Sequence, residues 1–154
     1  MKNNPPGVYI AGSMEGRTYE ELFYEHYYVR SELIKIGLEV FDPLLKEKHK
    51  IGKIIGLKNC GMPPKKVYAQ DLAAVEWADI IFWVTGDKAT EGSVTEVAWA
   101  GCINRFKLGK KLILIVSPRR YRKELNHFCN MHKGVKVVKS VDEGIIYIKR
   151  RFKL

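Results

Sequence analysis

The sequence predicts an α/β fold: a single doubly wound domain with a mainly parallel sheet of about five strands flanked by helices, of the Rossmann or flavodoxin-like kind. Short apolar runs alternate with longer segments of helical periodicity, which is the pattern of repeated βαβ units. The chain has 154 residues, which suits one hydrophobic core. It contains no repeat, linker or low-complexity tract. We therefore expect one domain over residues 1–154.

The expected strands are short apolar runs bounded by turn residues. Strands of a parallel sheet are covered on both faces, so they lack the alternation of apolar and polar residues seen in exposed sheets. The run at 80–84 is the clearest example, because it is β-branched, aromatic and wholly apolar. The predicted strands, in chain order, are 7–12, 38–41, 80–84, 111–116 and 135–138.

Helical periodicity fills the segments between these strands. Leu22, Val29 and Leu33 recur at spacings of seven and four, and Gly37 follows where a glycine commonly ends a helix. Residues 44–64 form a long connection rich in lysine, glycine and proline, and we expect part of it to cover the site as a flap. The predicted helices are 19–36, 66–77, 94–106, 120–128 and 142–151.

The composition argues against several classes of protein. No apolar run approaches the roughly 20 residues needed to span a bilayer, and the N-terminus lacks the pattern of a signal peptide, so we expect a cytoplasmic protein. Three widely spaced cysteines do not form a disulfide framework. Cys129 lies near His127 and His132, but a zinc site needs a further matching ligand pair. We therefore expect no metal and no cofactor.

The formal net charge of +10 favours anionic partners. Phosphorylated metabolites and nucleic acid are both attracted to such a surface, although a basic surface that only maintains solubility has the same composition. No recognised nucleic-acid-binding motif occurs. We therefore expect a small-molecule ligand, and neither a stable nucleic acid partner nor a membrane.

The loop after the first predicted strand contains Gly12, Ser13, Gly16 and Arg17. In open α/β sheets, ligands bind beyond the carboxyl ends of the strands. Glycines, a hydroxyl and a cation at this point can present backbone N–H groups and charge to a phosphate. The spacing matches neither the dinucleotide fingerprint nor a P-loop, and a glycine-rich turn without a ligand is an equally good interpretation.

Two carboxylates and a tyrosine are the candidates for chemistry. Ser93 and Glu96 form S-x-x-E, which local sequence alone favours as a capping box. A carboxylate near a helix N-terminus also stays ionised, as a nucleophile must. Asp71 is either an exposed helix carboxylate or the second carboxyl group that retaining glycosidic cleavage requires. Tyr9, expected near the carboxyl end of its strand, can orient a catalytic carboxylate, whereas we expect the three tryptophans to be core residues.

Three motifs resemble those of the nucleoside 2-deoxyribosyltransferase superfamily. They are V-Y-I-A-G-S at 8–13, Q-D-L at 70–72 followed by A-D-I at 78–80, and G-S-V-T-E-V-A-W-A at 92–100. The resemblance spans most of residues 7–117. It implies that Glu96 attacks the anomeric carbon and forms a glycosyl-enzyme, that Asp71 assists proton transfer at the base, and that Tyr9 holds Glu96. The intermediate then passes to another base or to water.

Departures from the family pattern point to the substrate. Transferases of this family that act on free nucleosides usually carry an aspartate six residues before the nucleophile, where this sequence has Thr90. A hydroxyl can donate to a 5′-phosphate, which a carboxylate would repel. The first loop also resembles the G-S-x-x-G phosphate loop of the deoxynucleoside 5′-monophosphate N-glycosidase branch. The residues expected to bind substrate are Gly12, Ser13, Gly16, Arg17, Thr90, Gly92 and Ser93.

The resemblance therefore favours hydrolysis of a nucleoside 5′-monophosphate. A nucleoside 2-deoxyribosyltransferase and a non-catalytic nucleotide-binding module are the alternatives. Members of the family are dimers or larger assemblies, so we expect a homodimer or higher homo-oligomer. Ser117, or a residue of 118–133, is expected to reach a neighbouring subunit's site. Val97 and Ala98 replace a glycine that is usual near the nucleophile, so helix packing there is expected to differ.

Overall fold

The computed structural model describes residues 4–12, 17–46, 62–85, 91–106, 108–117 and 134–154. The first long helix shows a clear local signal in the sequence. Thr18 begins the first long helix with a capping box, in which its side chain accepts from the backbone N–H of Glu21 while the Glu21 side chain accepts from that of Thr18. The elements in chain order are β1 (Gly7–Gly12), α1 (Tyr19–Lys35), β2 (Glu39–Phe41), α2 (Pro43–Lys46), α3 (Pro64–Trp77), β3 (Ile80–Val84), α4 (Glu91–Arg105), β4 (Leu112–Val116), β5 (Val135–Val138) and α5 (Val141–Phe152).

The five strands form one parallel sheet in the order β2-β1-β3-β4-β5. The predicted fold class is therefore confirmed. The chain leaves β1 towards β2 on one side and later returns to place β3 on the other side, so the strand order reverses next to β1. Such a reversal opens a crevice beyond the carboxyl ends of the two adjacent strands. Here those ends are Gly12 and Val84, which are paired in the sheet.

The helices cover the sheet in two layers. Helices α1 and α5 pack on the face that carries Val8 and Ile10 of β1. Helices α3 and α4 pack on the opposite face, which carries Tyr9 and Ala11. Side chains alternate between the faces because successive residues of a strand point in opposite directions. Tyr9, α3 and α4 consequently share one side of the sheet.

The predicted elements and the observed ones differ mainly at their ends. Gly37 has φ +85° just beyond α1, the left-handed conformation expected of a glycine after a helix. Helix α4 begins at Glu91, three residues before the predicted start. Residues 43–46 form the short helix α2 at the start of the predicted connection. Residues 47–61 and the predicted helix at 120–128 lie outside the described residues, so the flap and that helix stay predictions.

The described residues contain neither a membrane-spanning helix nor a metal-binding cluster. None of the helices in this part of the chain is long and apolar enough to cross a membrane. The same residues contain no cluster of three or more His, Cys, Asp or Glu side chains that could hold a metal ion. His127, Cys129 and His132 fall outside the described ranges.

Candidate active site

A hydrogen bond between Tyr9 and Glu96 joins β1 to α4. The Tyr9 hydroxyl donates to Oε1 of Glu96 over 2.7 Å. The Tyr9 side chain is fully buried and stacks on Phe41, with ring centroids 5.8 Å apart. Tyr9 is the third of the six residues of β1, so the expectation that it lies near the carboxyl end of the strand is wrong. It is the long phenol side chain that reaches Glu96 on the neighbouring helix.

Ser93 does not begin the helix that carries Glu96. Helix α4 starts at Glu91, which makes Ser93 its third residue and Glu96 its sixth. The capping-box interpretation of S-x-x-E is therefore wrong, because a capping serine stands before the first helical residue. The Ser93 hydroxyl instead donates to the carbonyl oxygen of Gly12 over 2.8 Å. This bond ties the first turn of α4 to the last residue of β1.

Asp71 is a buried carboxyl group on α3. Only 9% of the residue is exposed, so the interpretation as an ordinary exposed carboxylate is wrong. Within the described part of the chain, its Oδ1 atom has no hydrogen-bond partner. Burial raises the pKa of Asp71 from 3.8 to about 6, because the charged form loses hydration. A carboxyl group with this pKa can exchange a proton near neutral pH.

Asp71 and Glu96 lie on the same side of the sheet. Their helices, α3 and α4, both contribute to the hydrophobic cluster around Tyr9 and Ala11. Two further buried polar atoms on this side, Nε2 of Gln70 and Nε1 of Trp83, also have no hydrogen-bond partner among the described residues. Buried polar atoms are nearly always hydrogen-bonded in folded proteins. Buried donors and a buried acceptor without partners on one side of the sheet are typical of a site that binds a polar ligand.

Only some of the predicted phosphate-binding residues lie in the described part of the chain. Gly12 ends β1, half-buried, and Gly92 is exposed in the first turn of α4. Arg17 forms an ion pair with Glu25 at 3.4 Å, and each side chain is about 30% exposed. The structure therefore presents Arg17 with part of its charge already compensated. Ser13, Gly16 and Thr90 lie outside the described residues, so their roles stay predictions.

Two other expectations concern Ser117 and the tryptophans. Ser117 is buried, and its backbone N–H donates to the carbonyl oxygen of Val138. Residues 118–133 lie outside the described ranges, so a contribution of Ser117 or of this segment to a neighbouring subunit stays a prediction. Trp83 is a core residue at 2% exposure, whereas Trp77 and Trp99 are exposed by 44% and 40%, so the expectation of a core position is wrong for these two.

A buried His–Asp pair beside Gly12 was not predicted from the sequence. Nδ1 of His26 on α1 lies 2.8 Å from Oδ1 of Asp42, which follows β2. The two side chains are 3% and 2% exposed. A signal did exist, because His26 occupies the position between Leu22 and Val29 on the apolar stripe of the helix. A titratable residue in such a stripe is buried by the helix packing and needs a partner.

Comparisons with known proteins agree with this architecture. No family model matches the sequence. No curated protein matches it either. Among solved structures, the CMP N-glycosidase BcmB of Clostridium botulinum superposes with a TM-score of 0.57 at 16% identity, covering 94% of this chain and 98% of the other. A 2-deoxyribosyltransferase of Bacillus psychrosaccharolyticus gives a TM-score of 0.63 at 17% identity, with 90% of each chain covered.

The same fold is not confined to enzymes with those names. The Moco carrier protein of Chlamydomonas reinhardtii gives a TM-score of 0.61 at 14% identity, covering 97% of this chain and 99% of the other. The TM-scores show a shared fold, and at identities this low the similarity shows the fold alone. The predicted resemblance to the nucleoside 2-deoxyribosyltransferase superfamily is therefore confirmed as a resemblance of fold, and the function rests on the site residues.

Proposed function

We propose that this protein hydrolyses the N-glycosidic bond of a nucleoside 5′-monophosphate through a glycosyl-enzyme intermediate on Glu96. The observation that carries the proposal is the Tyr9–Glu96 hydrogen bond of 2.7 Å, on the same side of the sheet as a buried carboxyl group of raised pKa. Enzymes that cleave glycosidic bonds typically use two carboxyl groups, whose surroundings give them different pKa values and therefore different roles. One group attacks, and the other manages the proton.

In the first step, the Glu96 carboxylate attacks C1′ of the sugar and the bond from C1′ to the base nitrogen breaks. The electron pair of that bond passes to the base, which takes a proton from Asp71. The raised pKa of Asp71, about 6, suits a group that takes up and releases a proton near neutral pH. The products of this step are the free base and an ester between Glu96 and the sugar phosphate.

In the second step, water attacks C1′ of the ester. Asp71, now a carboxylate, accepts a proton from that water, and the Glu96 carboxylate leaves. The sugar 5-phosphate is released, and Asp71 returns to its protonated form. The Tyr9 hydroxyl fixes the orientation of the Glu96 carboxyl group through both steps, because Tyr9 is itself held by full burial and by its stacking on Phe41.

Several observations support a phosphorylated substrate. The net charge of +10 attracts anions, and Arg17 lies close in sequence to the carboxyl end of β1 with part of its surface exposed. Ser13, Gly16 and Thr90 are the predicted hydroxyl and backbone donors, and Gly12, Gly92 and Ser93 line the same strand end in our proposal. The fold is shared with a protein named as a CMP N-glycosidase. A homodimer and a cytoplasmic location stay predictions.

Transfer of the sugar to a second base is the alternative, because the fold is also shared with a 2-deoxyribosyltransferase. The two reactions have the same first step and differ only in the acceptor. A panel of ribo- and deoxyribonucleosides and their 5′-monophosphates, incubated with and without an acceptor base, separates them. Chromatography detects the released base and any new nucleoside.

The matched variant for this test is Glu96→Gln. Glutamine keeps an oxygen that accepts the Tyr9 hydrogen bond, so the fold is preserved while the nucleophile is lost. Glu39→Gln, at an exposed carboxylate on β2, is the control and should retain full activity. We expect release of base from 5′-monophosphates by the wild type and by Glu39→Gln only. An acid-quenched reaction should show a glycosyl adduct by intact-protein mass spectrometry.

Other outcomes assign the other functions. A new nucleoside that forms only in the presence of an acceptor base identifies a transferase. Tight nucleotide binding without turnover of any substrate identifies a non-catalytic binding module. Equal base release by wild type and Glu96→Gln would contradict the nucleophilic role of Glu96.

A further inference from the structure

The buried pair of His26 and Asp42 takes no part in the chemistry proposed above. It lies on the α1 side of the sheet, opposite to Tyr9, Asp71 and Glu96. His26 is 2% exposed and Asp42 is 3% exposed. Burying a histidine and a carboxylate is costly unless they are paired and held. The position of the pair at the carboxyl ends of β1 and β2 suggests a use beyond packing.

Asp42 fixes the orientation of the His26 ring. Its Oδ1 atom accepts from the backbone N–H of Leu44 over 3.0 Å and lies 2.8 Å from Nδ1 of His26. The carboxylate is therefore held by the backbone of α2, and the ring is held by the carboxylate. An imidazole bound in this way through Nδ1 directs Nε2 to the opposite side.

Nε2 of His26 points at Gly12, the last residue of β1. A Cβ atom added to Gly12 would lie 3.2 Å from Nε2. A side chain on any other residue at this position would therefore crowd the ring nitrogen. Among the described residues, Nε2 has no hydrogen-bond partner. The pair thus presents one oriented nitrogen to the end of β1.

Arg17 lies five residues beyond Gly12 in the sequence and carries a positive charge that Glu25 partly compensates. An imidazole N–H at Nε2 can donate a hydrogen bond to a bound anion, while Nδ1 stays bonded to Asp42. Such a bond discriminates strongly against a ligand that lacks the anion.

We propose that His26, oriented by Asp42, binds the 5′-phosphate of the substrate through Nε2 and so determines the preference for a nucleotide over a nucleoside. This inference rests on the proposed function for the identity of the phosphomonoester. His26 acts in substrate binding and takes no part in bond cleavage. Its loss should therefore raise KM for the nucleotide and leave kcat almost unchanged.

Two substitutions separate this role from a structural one. His26→Asn places an amide near the position of Nδ1, which keeps the bond to Asp42 and removes the group at Nε2. His26→Gln places an amide nitrogen near the position of Nε2. We expect His26→Asn to raise KM for the 5′-monophosphate by about ten- to a hundredfold, the effect of one charge-assisted hydrogen bond. His26→Gln should fall between His26→Asn and the wild type.

The free nucleoside is the internal control. Its KM and kcat should be the same for His26→Asn and for the wild type, since it has no phosphate to lose contact with. Equal losses for nucleotide and nucleoside, together with a lowered melting temperature, would show that His26 only supports the fold. That result would overturn the inference.

A binding measurement keeps the inference independent of activity. The chain has four histidines, and comparison with His26→Asn assigns the ring signals of His26 in an NMR spectrum of the wild type. Titration with inorganic phosphate should shift those signals and saturate. Saturable shifts without turnover of any substrate would leave this phosphate site standing and overturn the proposed function alone. Unshifted His26 signals would overturn the phosphate site, whatever the turnover.

Discussion

Replacing Asp71 with asparagine should stabilise the protein at neutral pH. Asp71 is a buried carboxyl group whose Oδ1 atom has no partner among the described residues. Its pKa rises from 3.8 in the unfolded chain to about 6 in the folded protein. The folded protein therefore holds the proton more tightly than the unfolded chain does. The stability that this provides is complete below pH 3.8 and is lost as the pH rises to about 6.

The size of the effect follows from the two pKa values. Each pKa unit corresponds to about 1.4 kcal/mol, so the rise from 3.8 to about 6 corresponds to at most about 3 kcal/mol. Water that enters the crevice reduces this figure, and about 2 to 3 kcal/mol is a reasonable range. An asparagine side chain at this position does not titrate and avoids the loss. In a domain of this size, the gain corresponds to a rise in melting temperature of about 4 to 12 °C.

The assay is urea unfolding of wild type and Asp71→Asn at about pH 3.5 and about pH 7.5. We expect nearly equal free energies of unfolding at the lower pH and a more stable variant at the higher pH. Glu39→Gln, which removes an exposed carboxylate on β2, is the control. Its free energy of unfolding should follow that of the wild type at both pH values. Parallel pH dependence for wild type and Asp71→Asn would refute the reasoning. The same variant should lose turnover, because asparagine cannot donate the proton that the leaving base requires.

Two further substitutions test the contacts around Glu96. Tyr9→Phe removes the hydroxyl that donates to Glu96 and should lower kcat by about ten- to a hundredfold with little change in KM; steady-state kinetics that show an unchanged kcat would contradict an orienting role. Ser93→Ala removes the bond to the Gly12 carbonyl oxygen and should lower the free energy of unfolding by about 1 kcal/mol. Urea unfolding checks this value, and an unchanged stability would mean that the bond does not anchor α4 to β1.

The sequence predicted those parts of the fold whose signals are local. Strands β1, β3 and β5 have the predicted bounds, because each is an apolar run between turn residues or short polar segments. The start of α4 was predicted too late because S-x-x-E has the form of a capping box. In the structure, the Ser93 hydroxyl bonds to Gly12, which lies 81 residues away. A contact of that sequence separation leaves no trace in the local pattern.

Contacts between distant residues also limited how much of the candidate site could be predicted from the sequence. The resemblance to a family identified Tyr9, Asp71 and Glu96 as candidates, and the structure adds the hydrogen bond between Tyr9 and Glu96 and the burial of Asp71. The pair of His26 and Asp42 has no family motif to reveal it. It depends on packing between α1 and the end of β2, and periodicity alone identifies a buried position without naming its partner.

Strand β1 connects the two halves of the proposed site. Tyr9 points to the α3 and α4 side, where Asp71 and Glu96 lie, and Gly12 lies against Nε2 of His26 on the α1 side. Alternation along a strand requires this division, because residues 9 and 12 differ by an odd number of positions. A nucleotide bound beyond the end of β1 can therefore place its sugar towards Glu96 and its phosphate towards His26. A shift of β1 by one residue would exchange the two faces, and the contacts of Tyr9 with Glu96 and of Gly12 with His26 would both be lost. The register in which β1 pairs with β2 and β3 is therefore required by the proposed chemistry as well as by the fold.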